Sequence, residues 1–517
     1  MYQLIIMRRI LLLALIAFSI QLIGQEQNLD YAKLDAYIQK SLKEHDIPGL
    51  AIGIVKGQEV VFQKGYGVKK EGETAPVTTN SMFAIASISK AFTASALGIL
   101  EQEKKINFNE KVTKYLPEWS LHDACASDQF VVGDLLCHRS GLKTFDGDLL
   151  WYGTNYSRDE IISRIKHLPL TYEPRIQFGY QNIMFITAGQ LIPAVATKTW
   201  DEFVTTRLLK PIGMLRTTTS IKDYPEGQDI AYPHVKGQNA RGKLNPLFNY
   251  DNSGATAALN SNVVDMTKWL RLWLNDGIYD GDTIIPLKHI RRAHQVQTPL
   301  AVSSRDIKMG TNFKGYGQGW FLMDYKGMRV AHHGGGLPGY ISKICVLPEE
   351  DLGFIILTNG ESNLPSALMY WILDMFQGEE PKDWSKNMRD GYTRYFKSLD
   401  DERAAKIAER QADIAPSINL ETLVGTYNDL MYGDAEIVLN GKGKKQKASL
   451  SLTPSKEIFS SELEHWSGDT YRIKWKDDFL PWGLVSFKKN ENGKIEFTID
   501  LKNPDFHFFN LKFVQKN

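Results

Sequence analysis

The segment Ala84–Leu100 consists almost entirely of small and apolar residues. It is long enough for several turns of α-helix, and a helix without a polar face is typical of a protein interior. Such a helix needs a large domain around it. The chain has 517 residues, of which 43% are hydrophobic and 23% are charged, so it has enough apolar material to build that domain. The length predicts roughly two to three domains, and the composition excludes a wholly disordered chain.

The charge of the chain is almost balanced, with 61 lysine and arginine residues against 60 aspartate and glutamate residues. A net charge of +1 gives no support to a nucleic-acid-binding protein that works through overall basic charge. The mean hydropathy is −0.29, and only the N-terminus carries a long uncharged apolar run. These properties exclude a multi-span membrane protein.

The N-terminus has the pattern of a secretory signal peptide. Arg8 and Arg9 precede the uncharged run Ile10–Ile23, and Gly24 follows it. As a helix this run rises about 21 Å, which is less than the roughly 30 Å of a hydrocarbon core. We therefore predict a signal peptide over residues 1–24 and a periplasmic or secreted protein without a membrane span; the alternative is an uncleaved N-terminal anchor. No cysteine lies near the predicted cleavage point, so a lipoprotein anchor is not expected.

Cysteine is rare, and the three cysteines are Cys125, Cys137 and Cys345. Three thiols cannot all pair within one chain, so a disulfide framework does not hold this fold. A bridge between Cys125 and Cys137 and three free thiols both remain open.

Strand-like runs flank a helical middle region. The predicted helices are Leu29–Glu44, Ala84–Leu100, Asn182–Lys210 and Val263–Leu274. The predicted strands are Gly49–Val55, Glu59–Tyr66, Gly315–Met323, Met328–His332, Gly339–Leu347 and Gly353–Leu357. This order indicates a layered α/β domain with an all-helical part.

The composition changes after residue 378. Residues 379–416 are rich in charge and include a predicted polar helix around Asp400–Asp413, so we predict a charged helical linker there. Residues 417–517 alternate short β-like runs with turns, which is typical of a small antiparallel barrel or sandwich. The domain boundaries are therefore predicted as 28–378 for the main domain, 379–416 for the linker and 417–517 for the C-terminal domain.

An S-x-x-K pattern stands near the start of the apolar segment, at Ser87 and Lys90. This spacing puts both side chains on one face of a helix. Burial disfavours the charged form of a lysine, so it lowers the pKa of Lys90 and makes Lys90 a candidate base. A serine in the first helical turn lies near the positive end of the helix dipole, which favours a nearby oxyanion. The alternative is a serine N-cap followed by a lysine that reaches solvent. The pattern also occurs without an apolar helix at Ser140/Lys143, Ser163/Lys166 and Ser486/Lys489.

Tyr180 and Asn182 form a Y-x-N pattern at the start of a predicted helix. A phenol near a lysine of low pKa can transfer a proton, and an asparagine amide can hold a substrate carbonyl. The alternative is an ordinary loop tyrosine followed by an N-cap asparagine. The same pattern occurs once more, at Tyr250 and Asn252.

A glycine-rich run from His332 to Gly339 follows a predicted strand. Glycine at positions such as Gly334, Gly335 and Gly336 lets a backbone N–H approach a ligand closely, as an oxyanion hole requires. The alternatives are a glycine-rich hairpin turn and a histidine pair that binds a metal. No third histidine or carboxylate cluster lies nearby, and the sequence has no C-x-x-C or H-E-x-x-H motif, so we expect no metal and no cofactor.

The order and spacing of these three motifs resemble the serine beta-lactamase and penicillin-binding-protein superfamily. The chain resembles in particular the class C-like branch, which also contains DD-peptidases, D-aminopeptidases and esterases. The resemblance covers roughly residues 30–376 and includes Phe83–Lys90, Leu136–Leu142, Pro211–Met214, Tyr316–Trp320 and His333–Gly339. The tail from about residue 417 resembles the β-rich, often lipocalin-like, domain appended to many of these hydrolases.

This resemblance implies a fold and a set of roles. The fold is α/β (α+β), a beta-lactamase/transpeptidase-like sandwich of an antiparallel sheet with helices plus an all-helical subdomain, followed by a small β-barrel-like domain. Ser87 would be the acylated nucleophile, and Lys90 and Tyr180 would share the general base and acid work in an order that stays open. Asn182 would bind the substrate amide. The backbone N–H groups of Ser87 and Gly336 would form the oxyanion hole.

His333 stands where the lactamases have the lysine of K-T-G, and Gly334 and Gly335 complete that motif. A lysine there is always cationic and can bind a substrate carboxylate, whereas an unperturbed histidine is about half neutral near pH 6.5. The substitution therefore favours esterase or peptidase chemistry over strong beta-lactamase activity. If protonated His333 assists anionic substrates, activity on them should fall as pH rises through its pKa. His138 and Ser140 would support the edge of the site.

The leading hypothesis is a secreted serine hydrolase that forms an acyl-enzyme. Its substrates would be small peptides, amides or esters, including cell-wall-derived ones, as for a DD-carboxypeptidase, a D-aminopeptidase or an esterase. The alternatives are a beta-lactamase and a catalytically silent penicillin-recognising sensor or scaffold. The C-terminal domain would cover the mouth of the active site, mediate assembly or only stabilise the fold, and the sequence does not decide among these.

Overall fold

The computed structural model describes residues 30–516 apart from 225–226, 228, 236–242 and 442–445. The predicted signal peptide, residues 1–24, lies outside the described residues. The helices are α1 (Tyr31–Glu44), α2 (Ser89–Gln102), α3 (Ala124–Gln129), α4 (Arg158–Arg164), α5 (Asn182–Ala196), α6 (Trp200–Val204), α7 (Gly254–Ala257), α8 (Val263–Leu274), α9 (Leu287–Ala293), α10 (Ser304–Met309), α11 (Leu364–Phe376) and α12 (Trp384–Ala408).

The strands up to residue 358 form one large sheet and three short pairs. They are β1 (Gly49–Lys56), β2 (Glu59–Gly67), β3 (Phe83–Ala84), β4 (His234–Val235), β5 (Lys243–Leu244), β6 (Asn260–Ser261), β7 (Ile278–Tyr279), β8 (Asp282–Thr283), β9 (Thr298–Leu300), β10 (Lys314–Tyr316), β11 (Phe321–Tyr325), β12 (Met328–Leu337), β13 (Tyr340–Leu347) and β14 (Leu352–Thr358). The large sheet has the order β2-β1-β14-β13-β12-β11-β10-β9, and every neighbouring pair is antiparallel.

Helices cover both faces of this sheet. Successive side chains of a strand point to opposite faces, and in β1 both sets are apolar. Ile52 and Ile54 pack in one hydrophobic cluster with α1 and α11. Ala51 and Val55 pack in the other cluster, which includes α2, α5 and α8. A central strand that is buried on both faces therefore reads as an uninterrupted apolar run.

The buried apolar helix is shorter than the sequence predicts. Phe83 and Ala84 pair as β3 with β6, residues Ala86–Ile88 form a 3₁₀ turn, and α2 begins only at Ser89. Ala86 has a φ of 49°, in the left-handed region that interrupts a regular helix. The helix itself is buried over almost its whole length, as expected.

The C-terminal strands form a second antiparallel sheet. They are β15 (Gly425–Asp429), β16 (Gly433–Asn440), β17 (Lys447–Leu452), β18 (Ser460–Glu462), β19 (Glu464–Ser467), β20 (Thr470–Ile473), β21 (Gly483–Lys489), β22 (Ile495–Asp500) and β23 (Lys512–Gln515). The order is β18-β17-β16-β15-β23-β22-β21-β20-β19. The two edge strands are separated by Leu463 alone, so the sheet curves until its edges meet and forms a nearly closed barrel. The predicted fold class, with its helical subdomain and small C-terminal barrel, is confirmed.

The barrel packs against the segment that follows α3. Tyr152 Oη donates a hydrogen bond of 2.7 Å to Asp477, and the Asn155 N–H donates one of 2.9 Å to the Pro454 carbonyl. Asp146 Oδ1 lies 2.8 Å from His507 Nδ1. One hydrophobic cluster runs through both regions without a break. The barrel is therefore packed firmly against the helical subdomain.

The linker helix and the cysteines each settle a question that the sequence raises. The helix α12 starts much earlier than the predicted helix around Asp400–Asp413. The three cysteines are free, and Cys125 is exposed, so the alternative of a Cys125–Cys137 bridge is wrong. Among the described residues, no helix has both the length and the hydrophobicity needed to cross a bilayer. The same part of the chain contains no cluster of potential metal ligands.

Candidate active site

Ser87 lies in the 3₁₀ turn directly before α2, and its side chain is partly exposed to a cavity. The preceding residue, Ala86, has a positive φ that costs conformational energy, and such strain is typical of functional sites. The strand β12 runs close to this turn. A Cβ atom on Gly335 would lie only 2.2 Å from the Ile85 carbonyl oxygen, so this position of the strand accepts only glycine.

Lys90 points its Nζ at Ser87 from one helical turn further on. Lys90 Nζ lies 2.9 Å from Ser87 Oγ, 2.6 Å from Asn182 Oδ1 and 3.2 Å from the Thr256 carbonyl oxygen. The side chain is fully buried. Burial lowers the pKa of Lys90 well below its usual range, while the charge of Asp148 acts in the opposite direction. The amine therefore has a strongly reduced tendency to hold a proton, as the sequence predicts.

Asn182 is the first residue of α5 and links Lys90 to a buried carboxyl group. Its Nδ2 donates a hydrogen bond of 2.6 Å to Asp148, and its Oδ1 accepts one of 2.8 Å from the Thr256 hydroxyl. Burial raises the pKa of Asp148 to about 7, although the hydrogen bond from Asn182 lowers it. In this structure the Asn182 amide holds the base in place rather than pointing freely into the cavity.

Tyr180 lies beside Ser87 and above the lysine. The two hydroxyl groups interact, and Lys90 Nζ lies 4.9 Å from the centre of the Tyr180 ring. Burial raises the pKa of Tyr180, so the phenol keeps its proton. The ring of His138 lies 4.0 Å from that of Tyr180, and His138 Nδ1 accepts the Gln181 N–H at 3.0 Å. His138 thus holds the backbone that carries Tyr180.

His333 differs from the expectation that it titrates near neutral pH. It is almost fully buried, its Nε2 lies 3.1 Å from the Tyr316 hydroxyl, and its Nδ1 lies 2.6 Å from the Gly334 carbonyl oxygen. Burial, assisted by the charge of Lys90, lowers the pKa of His333 to about 3. The ring is therefore neutral at neutral pH and supplies no positive charge to a substrate.

The glycines lie within β12 rather than in a hairpin turn, which corrects the alternative raised from the sequence. The strand β11 ends opposite His332, so beyond this point no strand of the described residues pairs with that edge of β12. Gly334 and Gly336 line the same cavity as Ser87. All of the predicted site residues thus lie around one cavity or directly behind its wall.

The cavity has a volume of about 780 Å³ and is bounded by three regions of the chain. The main domain supplies Ser87, Tyr180, Asn182 and the β12 edge. The helix α12 supplies an outer wall with Tyr392, Tyr395, Phe396, Leu399 and Arg403. The C-terminal barrel completes this wall with Phe479, Pro481 and residues 502–506. The C-terminal domain therefore lines the mouth of the site.

Sequence reasoning missed several members of this site. Asp148 follows the Leu136–Leu142 segment but belongs to no motif considered there. Thr256 lies in a loop-rich stretch, and its contribution is partly a backbone carbonyl, which no sequence pattern reveals. Lys343 is a single lysine in an apolar strand, and this unusual position could have marked it. The outer wall depends on packing between residues that are far apart in the sequence, and no local sequence pattern indicates it.

The comparisons with known proteins agree with this geometry. A family model described as Beta-lactamase matches residues 34–378, and a model described as a domain of unknown function (DUF3471) matches residues 409–515. The chain therefore belongs to the beta-lactamase family, and it is a serine hydrolase of that family.

Relatives in fungi and bacteria extend this result. The protein named "Unguisins hydrolase ungD'" from Aspergillus campestris is 26% identical over 392 residues, which cover 71% of this chain and 69% of that protein. "Protein flp" from Staphylococcus aureus is 25% identical over 341 residues, which cover 65% of this chain and 64% of that protein. The match thus spans slightly less than two thirds of the length of flp.

A solved structure covers both domains. The octameric penicillin-binding protein homologue from Pyrococcus abyssi aligns with a TM-score of 0.60 and 20% identity. The alignment covers 94% of this chain and 100% of that chain. At this identity the similarity shows the fold alone.

Proposed function

We propose that this protein cleaves amide or ester bonds through a covalent acyl-enzyme on Ser87. The observation that carries the proposal is the set of partners around Lys90. A neutral amine has two N–H groups and one lone pair. The Asn182 and Thr256 oxygens accept the two N–H groups, which leaves the lone pair facing the Ser87 hydroxyl. Lys90 is thus placed to accept the serine proton.

The remaining steps follow from the protonation states. Ser87 Oγ attacks the carbonyl carbon as its proton moves to Lys90, and the N–H groups of Ser87 and Gly336 would stabilise the oxyanion. Tyr180, whose pKa is raised by burial, holds its proton in the resting enzyme. It would pass this proton to the leaving group as the proton taken up by Lys90 is returned to it through Ser87 Oγ, so that the serine proton is in effect transferred to the leaving group. Water then hydrolyses the ester on Ser87 and restores the free enzyme.

We further propose that the physiological substrates are peptides with D-amino-acid character, with small esters as the second choice, and that the protein is exported. The relative from Aspergillus campestris is named as a hydrolase, which supports bond cleavage by water. The resemblance to DD-peptidases and D-aminopeptidases supports the peptide assignment. The cavity is large enough for a short peptide. The alternatives are a beta-lactamase and a silent sensor.

The test is a turnover panel on residues 25–517, with p-nitrophenyl esters, nitrocefin, a D-Ala-D-Ala peptide and D-aminoacyl amides. The variant Ser87→Ala should lose turnover and remain folded, whereas Ser163→Ala, which changes a surface S-x-x-K pair, should match the wild type. Intact-mass measurements should show an adduct that depends on Ser87. A stable adduct without turnover of any compound would favour the sensor, and retained turnover in Ser87→Ala would refute the proposal.

A further inference from the structure

The strand β12 carries a glycine at position 334, although the packing around this position does not require one. A Cβ atom on Gly334 would meet only the Ser342 carbonyl oxygen at 3.8 Å and Lys343 Nζ at 3.9 Å. Both are ordinary van der Waals distances, unlike the close approach at Gly335. The space beside Gly334 therefore accepts an added group without a clash, and Lys343 Nζ lies at its edge.

Lys343 is a partly buried cation in the active-site cavity. It lies opposite Gly334 in the β12–β13 register and lines the same cavity as Ser87. Its Nζ lies 3.4 Å from His332 Nδ1, and no ion pair among the described residues includes it. Burial lowers the pKa of Lys343 to about 8, so most molecules are still protonated at pH 7. A partly buried charge without a carboxylate partner loses some of its hydration, and an anion in the cavity would offset that loss.

The other cations that line the cavity already have partners. At its outer rim, Arg403 pairs with Asp400 at 2.9 Å, and Lys502 pairs with Glu402 at the same distance. His333, the residue expected to bind anions, is neutral. Within the described part of the chain, this leaves Lys343 as the lining cation whose charge is not balanced by a carboxylate.

We propose that Lys343 binds a carboxylate of the substrate in the open space beside Gly334, so that the enzyme prefers acyl donors with a negative charge. This inference rests on the proposed acyl-enzyme function, because it assigns specificity within the same cavity. The ammonium and the carboxylate would form a charge-assisted hydrogen bond, which is stronger in a cavity of low dielectric than in water. A peptide with an acidic group on the acyl side of the scissile bond supplies such a carboxylate.

The kinetic test compares p-nitrophenyl butyrate with p-nitrophenyl hemisuccinate, because the two esters differ by a methyl group against a carboxylate. In Lys343→Met, kcat/KM for the hemisuccinate should fall about 10- to 100-fold, the usual range for a charged hydrogen bond. The value for the butyrate should fall much less than the value for the hemisuccinate. Lys343→Arg should retain most of the preference. Lys314→Met removes a lysine of the same sheet outside the cavity and serves as the matched control. Equal losses on both esters in Lys343→Met, or no loss on either, would overturn the proposal.

A binding test separates this proposal from the proposed function. In a Ser87→Ala background, N-succinyl-D-Ala amide should bind about 10-fold more tightly than N-butyryl-D-Ala amide, and adding Lys343→Met should remove the difference. Melting temperatures check that each variant is folded, and the comparison of the succinyl and butyryl ligands in Ser87→Ala alone needs no Lys343 variant. Turnover that does not depend on Ser87 would refute the function. Equal affinities for the succinyl and butyryl ligands would refute the role of Lys343 whatever the turnover results.

Discussion

The two walls of the cavity are built in different ways. The inner wall comes from short motifs, and Lys90, Asn182 and Asp148 are joined there by hydrogen bonds of 2.6 Å. The outer wall comes from α12 and the C-terminal barrel, and exposed aromatic rings such as Phe396 dominate it. The inner wall thus has the fixed geometry that bond cleavage needs, whereas the outer wall has the apolar surface that binds a range of groups. The contrast indicates that chemistry and recognition can be changed separately.

The largest effect should come from the inner wall. Lys90→Met keeps most of the length of the side chain and removes the base, so kcat should fall about 10³-fold on every substrate, within the range for general base catalysis. The matched control is Lys143→Met, the exposed lysine of another S-x-x-K pair. Steady-state kinetics on a neutral ester check both variants. A loss of less than about tenfold in Lys90→Met would show that another group takes the serine proton.

The buried carboxyl group of Asp148, behind the inner wall, should reduce the free energy of unfolding at neutral pH. Its pKa is about 7 in the folded protein against 3.8 for a free aspartate, so the folded state resists ionisation. As pH rises from 4 to 7, the unfolded chain ionises first, and the contribution of Asp148 to stability falls. We expect Asp148→Asn to be more stable than the wild type by about 2–4 kcal/mol at pH 8 and by much less at pH 4.

Thermal or denaturant unfolding at several pH values measures this difference. Asp128→Asn, which removes an exposed carboxylate, should show little change across the same range. A gain in Asp148→Asn that is equal at pH 4 and pH 8 would contradict the assignment, because the effect would then not come from ionisation.

The same contrast explains what the sequence could predict. Ser87, Lys90, Tyr180 and Asn182 stand in local patterns at helix starts, and those patterns are set by short-range geometry. The burial that makes His333 neutral depends instead on Tyr316 and on the strands around it, which a spacing argument does not contain.

The remaining misses have similar causes. The sequence places the start of α2 too early because it does not reveal the left-handed backbone at Ala86. Alanine disfavours a positive φ, and here the pairing of β3 with β6 and the close approach of β12 impose that conformation. The barrel was recognised as a domain from its alternating strands, but its position over the cavity depends on contacts such as Tyr152 with Asp477, which are far apart in sequence.

The outer wall should affect recognition without affecting chemistry. The ring of Phe396 is 37% exposed and lines the cavity, so Phe396→Ala should remove apolar contact and cost little stability. We expect KM for esters with a large apolar acyl group to rise about 5- to 10-fold, as loss of a partly buried ring predicts. KM for p-nitrophenyl acetate should stay within about twofold of the wild-type value.

Ile407 offers a matched control on the same helix. It is 52% exposed and lies outside the cavity, so Ile407→Ala should leave both substrates unchanged. An equal effect of the two variants would indicate a general perturbation of α12. An effect of Phe396→Ala on kcat for the small ester would contradict the separation of the two walls.

The smallest expected effect is a change in substrate preference with pH. Burial lowers the pKa of Lys343 to about 8, so its positive charge is lost as pH rises through that value. The titratable groups that face it are His332, His333 and Cys345, and burial keeps all three neutral between pH 7 and 8.5 by lowering the pKa of each histidine and raising the pKa of the thiol. The preference for the hemisuccinate over the butyrate should therefore fall about fourfold across this interval. In Lys343→Arg the preference should stay constant, because a guanidinium does not titrate there. A preference that falls equally in both proteins would place the titrating group elsewhere.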